Sequence, residues 1–327
     1  MTSTDPATIA EATEVWGPEK NAAWLQSIQG GDGERKQAAA GATDFTRRKL
    51  RESSFVPAIQ APKPIKHSDL TRLQNPTTGQ NPEIGVYVCE MEPDSPGART
   101  VPFDAAPDQN SYRGDVYLVY VSKDQTDEMY KLLDELAGYK MDLRQVVTDN
   151  MLKDLDNRVD TRYIATVKEI TGSTAGVNGL GGYEQYLEYT GGITRANYKY
   201  TLTPMYDAEL NNGIFLMSRR TAVEIAGWGR DEMGGDLSER IATDGMNALE
   251  KFKLFGVPHI ATIKQSLVAT NHVYHFAPSN FLGQYVELEA PTVYVKKERD
   301  ALFFYAQRKY GYSIGNVAAV ARSVFLP

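Results

Sequence analysis

Across the first 52 positions apolar residues are scattered among Ala, Gly and Thr, and no spacing gathers them onto one face. Gly30, Gly31 and Gly33 break the stretch around Asp32, and a basic, helix-compatible run with Arg47, Arg48, Lys49 and Arg51 closes it. Such a segment cannot bury enough surface to order itself, so residues 1–52 are expected to form an arm held by neighbouring surfaces. From residue 53 the texture changes. Prolines recur at Pro57, Pro62, Pro64, Pro76, Pro82, Pro93, Pro96, Pro102 and Pro107. Each removes a backbone donor and clashes with a preceding turn, which excludes long helices. Two runs rich in strand formers stand out, Ile84 to Met91 and Asp115 to Val121. Between them, Glu92 to Gly114 is dense in Pro, Asp, Asn and Gly, a connection of more than twenty residues. Connections that long are usually functional. The pattern predicts a protruding two-stranded arm that needs a partner surface.

Residues 124 to about 170 carry the clearest helical spacing. Leu132, Leu133, Leu136, Tyr139, Leu143, Val146 and Val147 recur three and four apart, and Met151, Leu152 and Leu155 continue the stripe. A helix from Thr126 to Leu155, with Asp124, Thr126 and Asp127 at its start, would span about 45 Å. A shorter helix is expected through Tyr163, Ile164 and Val167 up to Gly172. A glycine cluster follows at Gly172, Gly176, Gly179, Gly181 and Gly182. Helices are then expected over Asn211–Gly227 and over Leu237–Phe255, the second stopped by Gly256 and Pro258. Strand patterns return at Gln284–Glu289, at Pro291–Lys297 and in the last stretch to Phe325. Strands, a long helix, mixed elements and strands again give an α+β class.

Length and charge narrow the function. A chain of 327 residues can bury a sizeable core, and its apolar runs fall short of the ~20 residues of a membrane span. The N-terminus shows no basic stretch leading into an apolar core, so no secretory signal is expected. Cys89 is the only cysteine, which excludes an internal disulfide and fits a chain made in a reducing cytoplasm. A net charge of −7 argues against a surface built to grip nucleic acid. Candidate chemistry is thin. The glycine cluster lacks the Gly-Lys-Ser/Thr ending of a phosphate loop and the Gly-x-Gly-x-x-Gly spacing of a dinucleotide site. Of the four histidines, His272 and His275 sit among strand formers, which would point them to opposite faces. No catalytic, cofactor or metal set is expected.

The segment order resembles that of the Hong Kong 97-type capsid family of tailed bacteriophages. Residues Thr46 to Ile59 (TRRKLRESSFVPAI) are similar to that family's arm, where a basic helix leads into an apolar anchor. Leu132 to Leu155 with Asp160 to Ile164 looks like its spine helix, and Val293 to Asp300 with Tyr310 to Val317 resembles its closing strands. The resemblance covers nearly all of the chain after residue 45. It implies a major capsid protein that assembles into hexamers and pentamers around the phage genome. The division it implies is an N-terminal arm (1–52), a linker and extended two-stranded loop (53–118), a peripheral domain (119–170 and 284–327) with the spine helix, and an axial domain (171–283). The extended loop, about residues 80–118, would lie over a neighbouring subunit, and Arg47, Arg48, Arg51, Phe55, Arg99, Phe103, Tyr112 and Arg113 are the expected subunit contacts. Expected partners are further copies of the chain, a separate scaffolding protein, a portal and a decoration protein, with DNA met only by non-specific proximity and no membrane. The virion is the expected location.

Two departures from the family matter. Some members form isopeptide cross-links from a lysine in the extended loop; here no lysine lies between His67 and Ser122, so none is expected. Others carry a cleaved N-terminal scaffolding domain of roughly a hundred residues; only about fifty precede the linker here, so an uncleaved subunit is expected. Two rivals remain at this level. One is an encapsulin-type nanocompartment shell, against which the long polar arm speaks. The other is an oligomeric cytoplasmic enzyme with the glycine cluster as a phosphate loop.

Overall fold

The computed structural model describes residues 51–73, 84–93, 100, 114–132, 143–228 and 250–327. Strands run over Pro62–Pro64 (β1), Thr71–Leu73 (β2), Ile84–Glu90 (β3), Val116–Tyr120 (β4), Ser122–Gln125 (β5), Met129–Leu132 (β6) and Tyr186–Tyr189 (β7). Further strands are Ile214–Ser218 (β8), Lys251–Leu254 (β9), Val257–Thr262 (β10), His272–Phe276 (β11), Gln284–Glu298 (β12), Ala301–Ser313 (β13) and Val320–Phe325 (β14). The α-helices are Val56–Ile59 (α1), Leu143–Thr171 (α2), Arg195–Lys199 (α3), Thr203–Asp207 (α4), Arg219–Ala226 (α5) and Ser279–Leu282 (α6). Among the described residues no helix is long and apolar enough to cross a membrane.

The chain divides into two compact units. The first holds Lys123–Val159 and Glu289–Arg308 with the chain up to Ser54; the second holds Phe55–Ser122, Asp160–Leu288 and Lys309–Pro327. In the first, alternation along β13 turns Leu302, Phe304 and Ala306 to one side, where Met151 and Leu155 of α2 cover them. Arg308 pairs with Asp156 at 3.3 Å, which places both charges of a largely buried pair beside that core.

The second unit is built on a mixed six-stranded sheet in the order β7-β14-β11-β8-β10-β9. One face, with Phe215, Met217, Ala261 and Val273, packs under Tyr198 of α3 and Ala222 and Ile225 of α5. The other face meets the C-terminal part of α2, where Tyr163 lies 5.9 Å from Phe276. There Arg322 of β14 donates to the Gly172 carbonyl at 2.7 Å. That bond satisfies an orphan acceptor and sets a cation at the negative end of the helix. Asp160 and Lys264 form a buried ion pair at 2.5 Å, with the Lys264 ammonium 5.7 Å from the Phe55 ring.

The strands expected at 84–91, 115–121, 284–297 and the tail are present as β3, β4, β12 and β14. The helices need correction. Met129–Leu132 is a strand, and among the described residues the helix covers Leu143–Thr171 unbroken, absorbing the shorter one. Its buried positions Met151, Leu155, Val159, Tyr163 and Val167 repeat every fourth residue, so the pattern runs on past Leu155 into the stretch expected as a separate helix. At 29 residues it is roughly 43 Å long. Leu133, Leu136, Gly138 and Tyr139 lie outside the described residues.

Asn211–Gly227 is a strand followed by a helix. Ile-Phe-Leu-Met in β8 is apolar on both sides because both faces of the sheet are covered, and Ser218 then caps α5 by accepting from Thr221 N at 3.1 Å. Of the helix expected over 237–255, residues 229–249 are not described and Lys251–Leu254 is a strand. Phe255 and Gly256 have φ of 51° and 80°, the mirror-turn geometry that joins β9 to β10 in a hairpin, where Gly256 had read as a helix stop. The expected closing block 284–327 is divided: Glu289–Arg308 belongs with the first unit, whereas β14 sits inside the six-stranded sheet between β7 and β11.

Candidate subunit-contact surfaces

The two-stranded arm has two unlike faces. β3 and β4 pair antiparallel with Tyr87 opposite Val119 and Cys89 opposite Tyr117. These four turn inward onto Ile65, Val286 and Leu288, so this face finds its core within the same chain. The thiol of Cys89 is buried there, and burial raises its pKa, which leaves it an inert packing group. Val88 opposite Leu118 and Val116 opposite Glu90 make the outer face. Val88, Val116 and Tyr120 are 43%, 61% and 55% exposed, an apolar strip at the outer part of this face, whereas Val86 opposite Tyr120 is fully buried.

Two glycines of β13 and its exit hold the arm's base. A side chain at Gly311 would meet the Tyr120 carbonyl oxygen at 2.6 Å, and one at Gly315 would meet the Tyr117 ring at 2.8 Å. Only glycine admits so close an approach of β4.

In the first unit, the face of β13 turned away from α2 carries a second apolar strip. Tyr130 of β6 lies 5.8 Å from Phe303, and Tyr294 of β12 stacks on Tyr305 at 5.0 Å. Tyr130 is 64% exposed and Leu132 beside it is also exposed. Glu289 orients the Tyr294 hydroxyl, which donates to its carboxylate at 3.0 Å, and accepts from Gln307 at 3.2 Å. Exposed tyrosines with one polar tip are the side chains that protein interfaces favour. Sequence reasoning missed this strip, although the alternation of Phe303 and Tyr305 around Phe304 carried a signal for it.

Of the expected contacts, Arg51 is paired with Asp154 at 2.6 Å and also donates to the Asn150 carbonyl at 3.3 Å, tying the chain to α2. Phe55 is only 6% exposed, its ring against Lys264 of its own chain. Arg47, Arg48, Arg99, Phe103, Tyr112 and Arg113 lie outside the described residues. The two described ones, Arg51 and Phe55, belong to neither strip.

Other candidate chemistry resolves into packing. In the glycine loop, Gly176 N donates to Glu184 at 2.6 Å, Gly181 N to Gln185 at 2.7 Å and Gly179 N to the Tyr183 carbonyl at 2.9 Å. Those amides are the groups a phosphate would need, and a carboxylate already occupies one. His272 and His275 sit on β11 and turn to opposite faces. A groove of about 420 Å³ in the second unit is lined by Pro57, Ile59, Asn212, Ile214, Pro278 and Ser279 among others, without an ionisable side chain.

No protein-family model matches this chain, and no curated protein matches its sequence. Solved structures match its fold. The capsid of the cyanophage P-SCSP1u gives a TM-score of 0.58 at 10% identity, covering 86% of this chain and 90% of that one. The mature capsid of bacteriophage PhiM1 gives 0.56 at 7% identity, covering 89% and 94%. The capsid of an empty GTA particle gives 0.51 at 14% identity, covering 91% and 99%. At these identities the likeness is one of fold alone, and the fold is the one these phage and GTA capsid structures share.

Proposed function

We propose that this chain is a major capsid protein of a tailed bacteriophage, assembling through copies of itself into the hexamers and pentamers of an icosahedral head that encloses the genome. The observation that carries the proposal is the outer face of the arm. Val88, Val116 and Tyr120 stay exposed on a strand pair whose other face is buried in its own subunit. A strip of that kind is stable in water only weakly, and a neighbouring copy would cover it. The aromatic strip around Tyr130 and Phe303 offers a second surface of the same character.

In this reading α2 is the spine helix and the arm is the extended loop of a Hong Kong 97-type subunit. The first unit is then the core of the peripheral domain, and the six-stranded sheet belongs to the axial domain. A separate scaffolding protein, a portal and a decoration protein are the further partners, assembly takes place in the host cytoplasm, and the particle is the final location. A shell subunit needs no catalytic set, and the internally bonded glycine loop supports that role over the phosphate-binding enzyme.

The pair of substitutions Val88→Glu and Val116→Glu tests the arm. Each places a charge on the outer face without touching the inner core. The variant is expected to keep the wild-type circular dichroism spectrum and melting temperature while failing to sediment as capsomers or shells. Normal assembly by the variant would sink the role given to this face.

A further inference from the structure

All four histidines of the chain belong to the second unit, and two of them share one row of its central sheet. His259 of β10 stands between its register partners Phe252 of β9 and Phe215 of β8, and Phe215 in turn opposes His275 of β11. Ring centroids along the row are 4.8 Å from Phe252 to His259, 5.1 Å from His259 to Phe215 and 4.3 Å from Phe215 to His275. His259 is 1% exposed and His275 is fully buried.

The polar groups that reach the row are few. From α3 the Tyr198 hydroxyl meets His259 Nε2 at 2.6 Å, and the Val257 carbonyl meets Nδ1 at 2.8 Å. With Nδ1–H donating to that carbonyl, Nε2 accepts from Tyr198, which defines a neutral imidazole. The polar groups that act on the His275 ring are the backbone of Thr201 and of Val273, which favour its protonated form, and His259, which disfavours it. Phe252, Ala222 and Ile225 close the row from β9 and α5. No carboxylate faces either ring from β8, β9, β10, β11, α3 or α5 among the groups that influence them. A proton on either imidazole therefore creates a buried charge without a counter-ion.

We infer that this row is an acid-release element: protonation opens the central sheet of the second unit, while the first unit, which has no histidine, keeps its fold. Burial holds His259 down at about 4 and His275, which also feels His259, at about 3. On the opposite sheet face His272 is held at about 4, first by burial and then by Arg322 and Lys168. Because the folded values lie below the ordinary one of about 6.5, the stability is fully present above pH ~6.5 and is lost as pH falls through the window below it.

Amide exchange of the full-length chain, followed by mass spectrometry at pH 7.5, 6.5 and 5.5 and corrected for the intrinsic rate, tests this. Peptides of β8, β10 and β11 should gain up to about tenfold in opening constant per pH unit per buried histidine, while peptides of 289–308 should not. His275→Met, which keeps the volume and removes the titrating group, should lose one such factor. Equal acid response in wild type and variant, or an opening spread evenly over both units, would overturn the inference. Should the variant not fold, nitrogen-15 imidazole spectra of the wild type decide. Both buried rings must remain neutral at pH 5.5, and a titration centred near 6.5 would refute the element.

Discussion

Gly311 shows how a single missing side chain can organise a contact surface. Its Cα approaches the Tyr120 carbonyl so closely that any β-carbon would stand 2.6 Å from the oxygen and 3.0 Å from Val119 Cγ1. Gly311→Val is expected to destabilise the chain by about 1–3 kcal/mol through overpacking against β4. A urea midpoint equal to wild type would show that β4 yields freely. Gly283 is under a stricter demand, because its φ of 146° is closed to other residues and a β-carbon there would collide with the Ser313 carbonyl. The sequence displayed Gly311 in a segment that resembles a family's closing strands, yet it could not say why either position is a glycine. The reason lies in strands far away along the chain. Phe55 teaches the same lesson in reverse. Its place after a basic run suggested an intersubunit anchor, while the fold buries it against Lys264 of its own subunit.

Among the elements, the arm was the most legible feature of the sequence. Proline density excluded long helices around it, and the two strand-forming runs paired as expected. What stayed hidden was that one of its faces is satisfied within the chain, since Ile65, Val286 and Leu288 come from distant segments. The long helix was legible in its existence and misplaced in its ends. Leu132 continues the four-residue stripe by number, but it stands in β6 opposite Ala301, so strand pairing outweighed helical periodicity there. β8 was misread for a related reason. A short apolar run covered on both faces carries no alternation, so its period cannot distinguish it from a helix. The consequence for function sits at this scale. If the arm's outer strip is the contact that copies share, a pair of glutamates at Val88 and Val116 separates folding from assembly, as the sedimentation test above requires.

For the whole molecule, the proposed function implies a shell held by overlapping surfaces and burial between copies. The arm region carries no lysine between His67 and Ser122, so the nucleophile for a covalent loop-to-neighbour bond is missing from it. Denaturing electrophoresis of boiled particles should therefore give a single band at the subunit mass; a ladder of multimers would contradict this. In a shell of the proposed kind, a net charge of −7 would let packaged DNA slide past the wall without being gripped. The proposed role requires self-assembly, which electron microscopy of the purified full-length chain over a rising concentration series makes visible. Rings of six and five copies and closed shells tens of nanometres across are the expected result. A chain that stays a monomer or a small oligomer at every concentration, with no ring or shell in any field, would contradict it.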